Sequence, residues 1–127
     1  MKTDIIILSK TEALVSKALA SICKHVDKKA VGKVIIGWTG KEQPAEQDID
    51  MLGIDVTIEA LSHYNFAENN NYLVDKHCMS DCVLFMNDDI ELAEDSVTSC
   101  LKWLEDHSIG TVGIKLLYRD KTIQHAG

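Results

Sequence analysis

Basic residues are in short supply. Thirteen Lys and Arg face twenty Asp and Glu, for a formal net charge of −7. A continuous basic groove along a phosphate backbone is excluded, and general nucleic-acid binding with it. Proline is almost absent, Pro44 being the only one, and no linker, repeat or low-complexity stretch divides the chain. Long apolar runs are also missing. None approaches the roughly 20 residues that a bilayer-crossing helix requires. The four cysteines are Cys23, Cys78, Cys82 and Cys100. Cys78 and Cys82 form one close pair without the second pair that a structural zinc site needs. Buried free thiols in a reducing compartment are the expectation. The N-terminus runs straight into a strand pattern with no targeting segment in front, so a cytoplasmic protein is expected.

What is present is one domain's worth of core. The 127 residues are 46% hydrophobic, enough for a single globular unit. Residues 4–9 form a continuous apolar run of the kind buried on both faces of a parallel sheet. Over 11–26, Leu14, Val15, Ala18, Leu19, Ile22 and Val26 fall on one helical stripe, with Ser9 or Thr11 to cap the start. Further strands are predicted at 34–37, 55–58 and 82–86, and helices at 65–77 and 94–107. A fifth strand is predicted at 111–118, with a turn at 119–121 and a hairpin partner from 122. The stretch 41–50 reads as irregular with one helical turn. This alternation specifies an α/β fold, an open and mostly parallel sheet with helices on both faces.

Ligands on such sheets bind at the carboxyl ends of the strands. Three segments reach that edge: Ser9-Lys10-Thr11, Gly37-Trp38-Thr39 and Asn87-Asp88-Asp89. Two adjacent carboxylates after an apolar strand repel each other. A hard divalent cation relieves the repulsion and can bridge to phosphate oxygens, which is how an acidic protein binds an anionic nucleotide. The competing reading is a solvated acidic turn that caps the next helix.

Four stretches tilt the balance. They are 65–71 (NFAENNN), 83–89 (VLFMNDD), 112–118 (VGIKLLY) and 122–127 (TIQHAG). In order and spacing, residues 60–127 resemble glycosyltransferase family 2; the first 60 match only in pattern. The resemblance implies a single GT-A (Rossmann-like) domain, a nucleotide-diphospho-sugar donor and Mn2+ or Mg2+. It places the family's D-x-D signature on Asn87, Asp88 and Asp89. Asp89 is then the direct metal ligand, and Asp88 touches sugar hydroxyls or helps hold the metal. Asn70 and Asn71 lie where the family meets the nucleoside, and their amides can read base edges or ribose oxygens. Ser9 and Lys10 replace the usual P-T-Y-N, with Lys10 near phosphate. Gly37-Trp38 replaces an Asp pair, and Trp38 is either a base-stacking ring or a core residue. Lys115 is a sugar-pocket candidate. His125 is a further metal candidate, and Glu91, Asp120 and His125 are the in-chain candidates for proton transfer. The family's catalytic carboxylate belongs to an acceptor half that aligns beyond residue 127.

The expected activity is therefore metal-dependent hexosyl transfer, with inversion implied by the family. The donor is expected to be a UDP-sugar, UDP-glucose on grounds of frequency, and the acceptor an undefined glycan, lipid or protein. The alternative is a noncatalytic nucleotide-sugar-binding module. A response-regulator-like phosphoacceptor domain has a similar length and alternation. It needs an acidic pair after the first strand, where Ser9-Lys10 stands. The sheet edge near 111–127 can pair with another copy, giving a homo-oligomer.

Overall fold

The computed structural model describes residues 1–46, 49 and 53–126. In chain order it contains β1 (Thr3–Ser9), α1 (Glu12–His25), a 3-10 turn (Lys28–Ala30), β2 (Val31–Trp38) and β3 (Asp55–Ala60). Then come α2 (Phe66–His77), β4 (Cys82–Asn87), α3 (Ser96–Leu104), β5 (Leu116–Leu117) and β6 (Ile123–His125). Strands β3-β2-β1-β4 form one sheet in that order, and every pair is parallel. All four carboxyl ends therefore lie along one edge, as the alternation predicts.

Each face of the sheet has its own core. On one face Ile5, Ile7, Val34 and Ile36 meet Val15, Ala18, Leu19 and Ile22 of α1, together with Val97 and Leu101 of α3. On the other, Ile6 and Ile35 meet Leu73 of α2. The isoleucine run of β1 is divided between the two by the period-2 alternation of a strand. Helices thus cover both faces.

At the amino end of β1, a buried carboxylate locks the sheet to the α2–β4 connection. Asp4 accepts from the backbone N–H groups of Lys33 (3.0 Å), Met79 (2.8 Å) and Ser80 (3.0 Å) and from the Ser80 hydroxyl (2.8 Å). Burial raises its pKa, but these four donors outweigh burial and hold it below the ordinary carboxylate value. Gly32 is obligatory beside it, because a Cβ there would collide with Ser80 Oγ and Asp4 Oδ1.

Three expectations need correction. The third helix starts at Ser96 rather than 94, because Asp95 caps it, accepting from Thr98 N (3.0 Å) and Thr98 Oγ1 (2.7 Å). It ends at Leu104, short of 107. The strand predicted over 111–118 is paired only at Leu116–Leu117, antiparallel to Ile123–His125. Residues 111–115 have no ladder partner among the described residues. Thr111, Val112 and Ile114 line an apolar groove against β4 and α3 instead. The hairpin itself is present as expected. Of the irregular stretch 41–50, positions 47, 48 and 50 lie outside the described residues. Glu46 caps the edge strand there, accepting from Ile58 N at 2.9 Å. None of the four cysteines is in a disulfide, and all are half-buried.

Candidate functional site

The carboxyl ends of β1 and β4 are neighbours, with Leu8 paired to Asn87. The chain leaves β4 through a turn in which Ile90 N donates to Asn87 O at 3.3 Å. Asp88 and Asp89 are its two central residues, so both acidic residues sit at the strand end. Behind the turn, Leu92 N donates to Ser21 Oγ at 2.9 Å, which ties the following loop to α1.

Asp88 is half-buried and accepts from Ser9 Oγ at 2.8 Å. Ser9 in turn accepts from Thr11 N at 3.1 Å. Asp89 is exposed and has no hydrogen-bond partner among the described residues. Both line a cavity of about 420 Å3, with Ser9, Lys10, Thr39, Asn70 and Asn87. Small-molecule sites run from roughly 300 to 1,000 Å3.

The asparagine stretch divides its labour. Asn65 caps α2, its Oδ1 accepting from Glu68 N at 3.0 Å, while Asn69 Oδ1 accepts from Asn65 N at 2.8 Å. These two fix the helix start, a reciprocal cap. Asn70 is 6% exposed, lines the cavity and donates through Nδ2 to Phe66 O at 2.9 Å. Asn71 faces solvent and does not line the cavity.

Several candidates are not brought to this place. Trp38 is 4% exposed and packs in the core, so its ring face is not offered to a base. A Cβ on Gly40 would come within 2.7 Å of the indole, which shows how closely the chain folds over it. Lys115 and Glu91 are exposed and line no part of the cavity. Asp120 belongs to the hairpin turn, accepting from Thr122 N (2.9 Å) and Thr122 Oγ1 (2.6 Å). Those bonds hold its pKa below the usual value, so it is a poor proton acceptor. His125 is exposed in β6. Among the described residues no group of three or more His, Cys, Asp or Glu is placed to hold a metal, so His125 does not join Asp88 and Asp89.

Sequence reasoning missed an aromatic wall. Tyr64, Phe66 and Phe85 line the same cavity and are 65%, 54% and 52% exposed. Phe85 was hidden inside an apolar run that reads as buried on both faces. Tyr64 and Phe66 did carry a signal, as aromatics in the otherwise polar segment 62–65 and at the helix start.

The family described as "Glycosyl transferase family 64 domain" matches over residues 3–120; the family 2 motifs remain a resemblance. No curated protein matches the chain. Among solved structures it is similar to S. aureus TarS 1-349, with a TM-score of 0.68 and 14% identity over 90% of this chain and 38% of that one. It is similar also to S. aureus TarS, with a TM-score of 0.66 and 14% identity over 90% of this chain and 23% of that one. A third similar structure is TarS 1-349 in complex with UDP, with a TM-score of 0.63 and 14% identity over 90% of this chain and 38% of that one. At such identity the likeness establishes the fold. The chain spans well under half the length of these proteins.

Proposed function

The chain belongs to the glycosyl transferase family 64 domain family, and from that premise we propose that it binds a UDP-sugar with a divalent cation and transfers the sugar to an acceptor. The observation that carries this reading is the convergence of Ser9, Lys10, Asn70, Asp88 and Asp89 on one cavity at the carboxyl edge of the sheet. The UDP complex of the structurally similar TarS supports the choice of nucleotide.

The donor set fits Mg2+ or Mn2+. These ions commonly take one or two carboxylates and complete their shell with phosphate oxygens and water. Asp89, without a partner among the described residues, would be the direct ligand, and Asp88, oriented by Ser9, would be the second oxygen source. When bound, the cation supplies charge neutralisation for the departing diphosphate. Lys10, exposed on the cavity rim, adds a positive charge for the phosphates. In the transfer, the acceptor hydroxyl oxygen gains a bond to the anomeric carbon and gives up its proton to a base outside the described cavity lining, while the bond from that carbon to the β-phosphate oxygen breaks and UDP carries away the electron pair. Asp88 and Asp89 are the only carboxylates lining the cavity among the described residues.

A thermal-shift series with nucleotide-sugars, with and without Mn2+, tests the reading, because a ligand that binds the folded state raises its apparent stability. UDP-sugars are expected to raise Tm only with the metal. Equal shifts from all nucleotides, or none from UDP-sugars, overturn it. Release of free sugar from the bound donor separates an enzyme from a binding module.

A further inference from the structure

We propose that the β5–β6 hairpin docks on an anionic lipid surface, with Leu117, Tyr118 and Ile123 entering the interface and Arg119 and Lys121 meeting the lipid phosphates. None of these residues lines the donor cavity.

The hairpin packs mainly on itself. Among the described residues, no other helix or strand makes more than slight contact with β5 or β6. A two-stranded unit of this kind is marginal in water. Yet Leu117, Tyr118 and Ile123 are each about half exposed or more. Leu117 and Ile123 are cross-strand partners and share a face. Tyr118 N donates to Thr122 O at 2.9 Å, which carries the ladder one residue further and turns the ring to the opposite face. Apolar groups therefore stand on both faces. A flat protein partner covers one face of a hairpin, whereas a fluid interface surrounds both.

The tip is cationic in an acidic chain. Between 115 and 125, Lys115, Arg119 and Lys121 face a single carboxylate, Asp120. That carboxylate is committed to Thr122 N and Thr122 Oγ1. The side chains of Arg119 and Lys121 are exposed and without a partner among the described residues. The other ten basic residues share the chain with nineteen acidic ones. Charges farther than about 8 Å are largely screened at physiological salt. The tip thus meets a surface as a local cation although the whole chain is negative.

Lys121 adds an independent sign. Its φ is 66°, the left-handed region that a glycine occupies without strain. A lysine there gives up local stability to keep a charge at the turn. An anionic bilayer supplies what all these groups lack. Lipid phosphates attract the two cations, hydrocarbon takes Leu117 and Ile123, and the headgroup layer suits a tyrosine ring with its hydroxyl in water.

The test is flotation of the full chain with vesicles of phosphatidylcholine alone and of equal parts phosphatidylcholine and phosphatidylserine. EDTA is present throughout, which excludes a divalent bridge from Asp88 or Asp89 to the lipid. The wild type is expected to float with the mixed vesicles only, and less so as salt is raised. Each cation near such a surface contributes roughly fivefold in partition. Lys121→Gly therefore loses roughly fivefold, and Arg119→Gln/Lys121→Gly roughly thirtyfold. Lys121→Gly does so with Tm unchanged or higher, which separates the loss from unfolding. Leu117→Ser/Ile123→Ser loses roughly tenfold or more. Circular dichroism checks its fold; if it is unfolded, Lys121→Gly decides. Equal flotation with both vesicles, none by the wild type, or full retention by Lys121→Gly or by the folded serine variant overturns the proposal. Sedimentation without lipid covers the rival occupant. A wild-type dimer that Leu117→Ser/Ile123→Ser makes monomeric assigns the hairpin to a second copy and overturns it likewise. UDP titration of the same variants is expected to match the wild type, so the donor reading stands or falls separately.

Discussion

Ser9 Oγ donates to Asp88 Oδ2 at 2.8 Å, joining the ends of the two adjacent strands β1 and β4. Ser9 has one hydroxyl proton and a second acceptor, Thr11 O, at the longer distance of 3.2 Å, so the carboxylate takes it. The effect is to leave one carboxylate of the pair oriented and the other open.

Ser9→Ala removes that orientation without touching Asp89. A hydrogen bond to a charged group is worth about 1.5–3 kcal/mol, and Asp88 regains part of this from water. Mn2+-dependent UDP affinity is expected to fall about tenfold, with pyrophosphate affected equally, as read by calorimetry. Unaltered affinity would mean that Asp88 needs no tether.

Asp4 and Gly32 form a second, purely structural pair at the other end of the sheet. Asp4→Asn removes a buried charge that four donors satisfy, and Gly32→Ala intrudes on the same space. Each is expected to cost about 2–4 kcal/mol in urea denaturation. A midpoint unchanged in both variants would show that the α2–β4 connection is held by other contacts.

Stability in acid is expected to depend on Glu59. Burial raises its pKa, but Lys76 Nζ (2.6 Å), His77 Nε2 (2.6 Å) and the Tyr72 hydroxyl (2.8 Å) converge on it and bring it down to about 2 from 4.5. A lowered folded-state pKa means that its contribution is complete above about pH 4.5 and is lost as pH falls towards 2. Lys76, hydrogen-bonded to Glu59 and Tyr72, is pushed up to about 12 from 10.5. That contribution is lost only as pH rises through this range. The larger displacement on Glu59 reflects three donors converging on it, against two partners, Glu59 and the Tyr72 hydroxyl, for Lys76. Glu59→Gln should flatten the decline of Tm between pH 4.5 and 2 relative to wild type. Parallel curves would remove Glu59 from the account.

The central sheet was legible because β1, β2 and β4 are parallel strands whose apolar runs leave no helical alternative of similar length. Asn87-Asp88-Asp89 was legible as a site because an acidic pair interrupts such a run at a carboxyl end. Trp38 was ambiguous, since an aromatic at a strand end satisfies both a core and a ligand pattern; Gly40 folding onto its ring decides for the core. The strand expected over 111–118 has the right alternation, but a ladder also needs a neighbour, and local sequence does not encode one. The burial of Asn70 and the exposure of Asn71 depend on where α2 lies against the sheet. A run of identical residues holds no trace of that.

Calorimetric titration of UDP into the wild-type chain and into Asp89→Ala, each with Mn2+ and with EDTA, examines the site where it matters most. Binding by the wild type only with the metal, and its loss in Asp89→Ala at unchanged Tm, is the predicted result. Equal UDP affinity in all four titrations would contradict a cation held at the end of β4.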